Sequence, residues 1–254
     1  MISPLAAVVY ADLFGYPLTV SEAKLWAIRK TQEKYSAQKE KLALEGVAFL
    51  QKIPTVEAVF LTGSTAVKNA TKNADIDLMI ITKPNTLWLT RLIVFKKLKS
   101  FACPNIFLDT NHLEIMEKNL YTAHEVLQAK CLYDRENINY LWLKNNSWTK
   151  EFLPNVYKLK IKNLKFIENF KFQISNYWLM PIELITFTMQ WLYMKNKITN
   201  ERMGWGYAFF HPRNLSEKIV ADFEKKLKQV SFRRRPESLA NARNYLHKEN
   251  FFVN

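Results

Sequence analysis

The sequence has few of the residues that mark disulfide-rich, zinc-stabilised or low-complexity chains. It contains two cysteines, Cys103 and Cys131, and only five glycines among 254 residues. Two cysteines without metal-type spacing give neither a disulfide framework nor a zinc site. The scarcity of glycine, with 48% hydrophobic and 14% aromatic residues, excludes a collagen-like or disordered chain. We therefore expect a substantial core, organised as one large domain or two small ones.

The N-terminal stretch MISPLAAVVYADLF lacks the basic region and clear cleavage site of a signal peptide. Two lone cysteines fit a reducing compartment, so we expect a cytoplasmic protein. The longest apolar run covers residues 177–194, but Pro181, Glu183 and Gln190 make it a poor membrane span. We expect a buried core helix there, and no membrane partner.

Acidic residues are few relative to basic ones, at 23 against 37, and the net charge is +14. Such an excess favours polyanionic partners such as nucleotides or nucleic acid, although lysine spread along a chain also simply aids solubility. A basic cluster at residues 233–235 follows Phe232, and this combination suits RNA contact by charge and stacking, or a solvated loop. RNA is therefore a candidate partner.

The apolar pattern predicts an α+β or α/β protein, in which a small mixed sheet lies between helical segments. Residues 1–53 read as a helical extension that begins like a winged helix. The core, residues 54–118, is expected to contain an amphipathic helix at 87–102 and strands at 56–62, 75–82, 104–109 and 112–116. Residues 119–254 read as a helical domain, with helix predicted nearly throughout.

One stretch of the core, LTGSTAVKNATKNADIDLMIIT at residues 61–82, carries the chemistry. Alternate residues of a strand share a face, so Asp75 and Asp77 are expected to project together, roughly 7 Å apart at Cα. Two adjacent carboxylates repel, and a divalent cation with oxygen ligands, Mg²⁺ or Mn²⁺, removes that cost. Gly63 lets the backbone approach a ligand, and Ser64 is expected to open a helix that suits a phosphate.

A strand that ends in Gly-Ser, followed by a polar segment and an Asp-hydrophobic-Asp strand, resembles the polymerase-β-type nucleotidyltransferase superfamily. The segments TKPNTLWLTRL, NLYTAHEV and AFFHPR also resemble uncharacterised bacterial proteins with a nucleotidyltransferase domain. The resemblance implies that Gly63 and Ser64 bind the phosphates of a nucleoside triphosphate and that Asp75 and Asp77 bind the metal. Lys68 lies beside the motif and is a further candidate for binding the triphosphate.

Members of this superfamily usually carry a third carboxylate on a later strand, which helps to activate the acceptor hydroxyl. Asp109, at the end of PNIFLD, is our choice for this catalytic and metal-binding role, and Glu114 is the alternative. Asp109 also begins an Asp-Thr-Asn sequence, which is good turn chemistry.

The resemblance implies a metal-dependent transfer of a nucleoside monophosphate from a triphosphate such as ATP to a hydroxyl. That hydroxyl belongs to RNA, a small molecule or a protein. Two alternatives stay open. One is a catalytically inactive module that binds nucleotide or RNA, and the other is a toxin–antitoxin-type nucleotidyltransferase that acts on a partner protein.

Overall fold

The structure, a computed structural model, describes residues 33–98, 102–164, 177–196, 201–210 and 214–232. In chain order the elements are α1 (Glu33–Leu50), β1 (Val56–Thr62), α2 (Gly63–Ala66), β2 (Asp77–Thr82), α3 (Leu87–Leu98), β3 (Cys103–Asp109), α4 (Leu120–Gln128), β4 (Lys130–Asp134), α5 (Ile138–Asn145), α6 (Pro154–Asn163), α7 (Met180–Met194), β5 (Arg202–Met203), β6 (Tyr207–Phe209) and α8 (Asn214–Phe232). Short 3-10 helices occur at Ser147–Glu151 and Tyr177–Leu179. The winged-helix-like start and the basic cluster at 233–235 lie outside the described residues.

The strands form one sheet in the order β4-β1-β2-β3-β6-β5. Strands β2 and β3 are parallel and are joined by α3, whereas every other neighbouring pair in the sheet is antiparallel. A mixed sheet with helices around it confirms the predicted fold class.

Both faces of the sheet are covered by helices, which explains why its central strands read as continuous apolar runs. Side chains alternate along β2, so Leu78 and Ile80 pack with α1 and α3 while Met79 and Ile81 pack with α4 and α5. Trp88 is fully buried on the first side and Trp142 almost fully on the second. The site residues on β1 and β2 are therefore held by a strand pair buried on both faces.

The sheet extends beyond the segment that the sequence assigned to it. Strand β4 comes from residues predicted to be helical and pairs with β1, and strands β5 and β6 lie within the segment assigned to a helical domain. The sequence KCLYD of β4 is short and half-exposed, and periodicity cannot distinguish such a run from a helix. The strand predicted at 112–116 is wrong, because β3 ends in a turn where the Asp109 side chain accepts a hydrogen bond from the Asn111 N–H.

Helix α7 differs from the expected buried core helix. One face packs against α3, where Glu183 is fully buried and accepts hydrogen bonds from the N–H groups of Trp88 and Leu89, at 2.7 and 2.9 Å. The opposite face is exposed, and includes Ile185 and Met189. None of the helices within the described ranges is long and apolar enough to cross a membrane.

Candidate functional site

The turn from β1 into α2 brings Gly63 against Asp77. The two strands form an antiparallel hairpin in which Thr62 pairs with Asp77, so the residue after Thr62 faces the aspartate. Gly63 has a φ of +63°, and a Cβ at this position would lie 2.3 Å from Oδ2 of Asp77. Glycine is therefore required twice, once for its backbone conformation and once for the space beside the carboxylate.

Asp77 is the first residue of β2, and its carboxylate is half-buried. Burial, and then the charge of Asp75, raise the pKa of Asp77 to about 6. Asp75 precedes the strand, which begins two residues later than predicted, and it is exposed. The electrostatic effect of Asp75 on Asp77 still makes them a pair whose ionisation is unfavourable without a cation.

The predicted phosphate-binding residues follow Gly63 directly. Ser64 is half-buried in the single-turn helix α2. The Asn69 N–H, after the end of this helix, donates a hydrogen bond to the Ser64 carbonyl at 2.8 Å. Lys68 is exposed on the turn after α2 and has a φ of 56°. Gly63 therefore lies against Asp77, Ser64 follows it in the chain, and Lys68 is at the solvent edge of the same loop.

The structure does not bring Asp109 to the acidic pair. In the parallel pairing of β2 with β3, Asp77 is opposite Cys103 and Asp109 is opposite Thr82, at the other end of the strands. Five residues of strand correspond to roughly 17 Å, too far for a shared metal ion. Asp109 instead approaches Nδ1 of His112 at 2.6 Å, and burial raises its pKa. Because of this register, Asp109 is not assigned to the metal site.

Glu114, the alternative third carboxylate, also fails to approach the pair. It lies beyond the Asp109 end of β3, is exposed, and forms an ion pair with Lys118 at 2.7 Å. A surface ion pair of this kind contributes little to stability and leaves the carboxylate in solvent.

The position beside Asp77 on the neighbouring strand is held by Asn105. Its side chain is buried, and its Nδ2 donates a hydrogen bond to Oδ1 of Asp77 at 2.8 Å. An amide therefore stands where the resemblance implies a carboxylate. The sequence contains the asparagine in PNIFLD, but only the register of β3 against β2 reveals that it faces the aspartate.

Asp75 and Asp77 are the two carboxylates that could hold a metal ion in this part of the structure. Within the described ranges, no group of three or more His, Cys, Asp or Glu residues could hold a metal. Mg²⁺ is commonly bound through one or two carboxylates and completes its coordination with water and phosphate oxygens. Asp75 and Asp77 supply that minimal set.

A cavity of about 110 Å³ adjoins the Asp77 end of the sheet. Its walls include Thr62 and Met79 from the sheet, Tyr121 and Glu125 from α4, and Arg202 from β5. Burial, and then the charge of Asp77, raise the pKa of Glu125 to about 7. Glu125 and Tyr121 were not predicted as site residues, because the sequence shows their four-residue spacing on a helix but not which strand that helix covers.

No curated protein matches the chain. Two crystal structures of mutants of the toxin–antitoxin MntA-HpeT are similar to it. One is 15% identical, with 50% of this chain and 90% of that chain covered and a TM-score of 0.27. The other is 16% identical, with coverages of 48% and 89% and a TM-score of 0.26.

Residues 47–138 match the family model described as Polymerase beta, Nucleotidyltransferase. The matched segment runs from the end of α1 to the start of α5. It therefore contains the hairpin that joins Gly63 to Asp77, and also Asn105 and Glu125. This part of the chain is similar to nucleotidyltransferase domains of the polymerase-β type.

Proposed function

We propose that the protein is a metal-dependent nucleotidyltransferase that moves a nucleoside monophosphate from a nucleoside triphosphate to a hydroxyl acceptor. The main support is the contact between Gly63 and Asp77. Gly63 has a positive φ, and a side chain at this position would overlap the half-buried carboxylate of Asp77. Because glycine has no side chain, a ligand can reach the backbone beside that carboxylate. That arrangement lets phosphate oxygens come close to the chain and to a cation at the same time.

In this proposal Asp75 and Asp77 hold Mg²⁺ or Mn²⁺. When bound, the ion neutralises the two acids and the charge that develops on the phosphates. Gly63 and Ser64 bind the phosphates through a backbone N–H and a hydroxyl. Lys68, on the exposed turn, contacts the outer phosphates.

The proposed acceptor is a hydroxyl of RNA, of a small molecule or of a partner protein. The net charge of +14 favours RNA among these, because lysine and arginine attract phosphates at long range. We also propose that the protein works in the cytoplasm, where its cysteines stay reduced.

A second candidate function is a module that binds the nucleotide without transferring it. The amide of Asn105 beside Asp77 supports this alternative, because it removes an acid that could help to activate the acceptor. The two functions make different predictions about turnover but the same prediction about binding.

The test incubates the purified protein with Mg²⁺, total cellular RNA and each α-³²P-labelled nucleoside triphosphate in turn. The variant carrying both Asp75→Ala and Asp77→Ala is the control. We expect label in RNA, or in a protein when a lysate replaces the RNA, only with the unmutated chain. Mg²⁺-dependent nucleotide binding without label in any fraction would favour the binding module, and label with the control variant would contradict the metal assignment.

A further inference from the structure

We propose that Glu125 accepts the proton of the acceptor hydroxyl, a task that no carboxylate on β3 can perform beside Asp77. This inference rests on the proposed nucleotidyl transfer. It assigns the cavity between α4 and the sheet as the place where the acceptor hydroxyl binds.

The cavity and the acidic pair lie on the same side of the sheet. Asp77 and Met79 are two residues apart on β2 and therefore share a face, and Met79 forms part of the cavity floor. Thr62, which pairs with Asp77 and precedes Gly63, lines the cavity as well. A group bound in this cavity therefore lies beside the residues proposed to bind the phosphates.

Helix α4 presents Glu125 to this space. Tyr121 and Glu125 are four residues apart, so they share one face of the helix, and both line the cavity. The capping box at Asn119, with its side chain accepting from the Thr122 N–H at 2.9 Å, fixes where the helix begins. The position of Glu125 is thus set by a well-anchored helix on the sheet.

Among the residues that the structure describes, the charged and titratable groups that line the cavity with Glu125 are Tyr121 from its own helix, Glu117 from the preceding loop and Arg202 from β5, and the charge of Asp77 on β2 also acts on Glu125. Arg202 forms an ion pair with Glu117 at 3.2 Å, so its charge is largely engaged. Burial, and then the neighbouring carboxylates, raise the pKa of Tyr121, which keeps this phenol neutral. Glu125, with a pKa near 7, is the group that exchanges a proton at neutral pH.

The acceptor O–H gives its proton to the Glu125 carboxylate while the oxygen forms a bond to the α-phosphorus of the triphosphate. The bond between that phosphorus and the bridging oxygen of the β-phosphate breaks, and pyrophosphate leaves with the electron pair. Glu125 then returns its proton to water.

The first experiment compares the unmutated chain with Glu125→Gln, and with Glu151→Gln as a matched control at an exposed position outside the cavity. We expect kcat/KM of the unmutated chain to rise with pH and to level off by about 7, because Mg²⁺ in the assay lowers the pKa of Glu125 from its cation-free value. Glu125→Gln should lower kcat by about 10²- to 10⁴-fold, remove this rise and leave nucleotide affinity unchanged. A Glu125→Gln chain with activity within threefold, or with the same pH profile, would overturn the assignment.

The second experiment adds Asn105→Asp to Glu125→Gln. This change places a carboxylate beside Asp77, where it can accept the proton instead. We expect the double variant to recover at least tenfold in kcat over Glu125→Gln alone. Failure to recover, in a double variant that binds nucleotide like the unmutated chain, would argue that Glu125 acts only by supporting the cavity.

The third readout does not depend on turnover. Carboxyl ¹³C NMR, with the Glu125 signal assigned from the Glu125→Gln spectrum, follows its titration with and without Mg²⁺ and α,β-methylene ATP. We expect the cation to lower the pKa of Glu125, because it offsets the charge of Asp77, and to have no such effect in the Asp75→Ala/Asp77→Ala chain. An unchanged titration in an active protein overturns the role of Glu125 alone, whereas absence of transfer by the unmutated chain overturns the proposed function as well.

Discussion

At the scale of single residues, the site depends on a contact between a glycine and a carboxylate. The left-handed backbone of Gly63 and the position of Asp77 Oδ2 each exclude a side chain at residue 63. An L-residue in this backbone region costs about 1–2 kcal/mol before any steric clash is counted. Gly63 therefore affects both the conformation of the turn and the position of the Asp77 carboxylate, and with them the space that a ligand could occupy.

Gly63→Ala should lower the free energy of unfolding by about 1–3 kcal/mol and abolish Mg²⁺-dependent nucleotide binding, because the new Cβ displaces the Asp77 carboxylate. Urea unfolding and a nucleotide-binding titration measure the two effects. Asn137→Ala is the matched control, since Asn137 also has a positive φ, of 58°, but lies away from the site. It should lose stability and keep binding; equal loss of binding in both variants would contradict the role of the contact.

Asn105→Asp tests the amide beside Asp77. Without divalent cations a new acid here replaces a hydrogen bond of 2.8 Å with repulsion between buried carboxylates, so the melting temperature should fall. At about 2–4 °C per kcal/mol for a chain near this size, a drop of several degrees is expected. Millimolar Mg²⁺ should restore it, because the third acid completes a metal site.

Asn105→Ala separates this effect from the loss of the hydrogen bond. It should also lower the melting temperature, but Mg²⁺ should raise it no more than it raises that of the unmutated chain. A Mg²⁺ shift of equal size in both variants would show that the aspartate at residue 105 does not reach the ion.

At the scale of elements, α7 is attached to the sheet and its helices by polar contacts at the N-terminal end of α3. The carboxylate of Glu183 accepts the N–H groups of Trp88 and Leu89, in the first turn of α3, where free N–H groups and the helix dipole favour a negative charge. About two turns further along α7, the side chain of Gln190 donates a hydrogen bond to the Trp88 carbonyl at 2.8 Å. These bonds fix which face of α7 meets α3.

Glu183→Gln should lower the free energy of unfolding by about 1.5–3 kcal/mol, since an amide has one acceptor oxygen and no charge to offer two N–H donors. Chemical denaturation measures the change. Glu217→Gln, at an exposed position in the first turn of α8, should stay within about 0.5 kcal/mol. If Glu183→Gln is as stable as this control, the hydrogen bonds from the Trp88 and Leu89 N–H groups to the carboxylate do not contribute measurably to stability.

The sequence predicts some of these elements and cannot predict others. Strands β1 to β3 and helix α3 were predicted because their apolar runs are bounded by glycine, proline and polar residues. Strand β4 was missed because its five residues pair with β1 from a distant part of the chain. The distance of Asp109 from Asp77 could not be predicted for a related reason: a parallel register decides which end of β3 meets Asp77, and no local pattern encodes that register.

At the scale of the whole molecule, burial raises the pKa of carboxyl groups at several separate places. Burial is the largest cause for each of Glu57, Asp77, Asp109, Glu125 and Glu183. A folded state that holds these protons more tightly than the unfolded chain becomes less stable as pH rises through the folded pKa values. Buried His124, whose pKa is lowered to about 3, acts in the other direction and costs stability below pH 6.5.

In EDTA, the free energy of unfolding should therefore fall between about pH 4.5 and pH 7, from the ordinary carboxyl pKa to the folded-state values of about 6 for Asp77 and 7 for Glu125, and it should be level by pH 8. Thermal unfolding at fixed ionic strength measures this slope. Glu125→Gln should make the slope shallower, because an amide does not titrate, whereas Glu151→Gln should leave it unchanged. Mg²⁺ added at pH 8 should raise the melting temperature of the unmutated chain more than that of the Asp75→Ala/Asp77→Ala chain. If stability instead rises with pH over this interval, the buried carboxylates must already be paired with Lys or Arg side chains in the absence of metal.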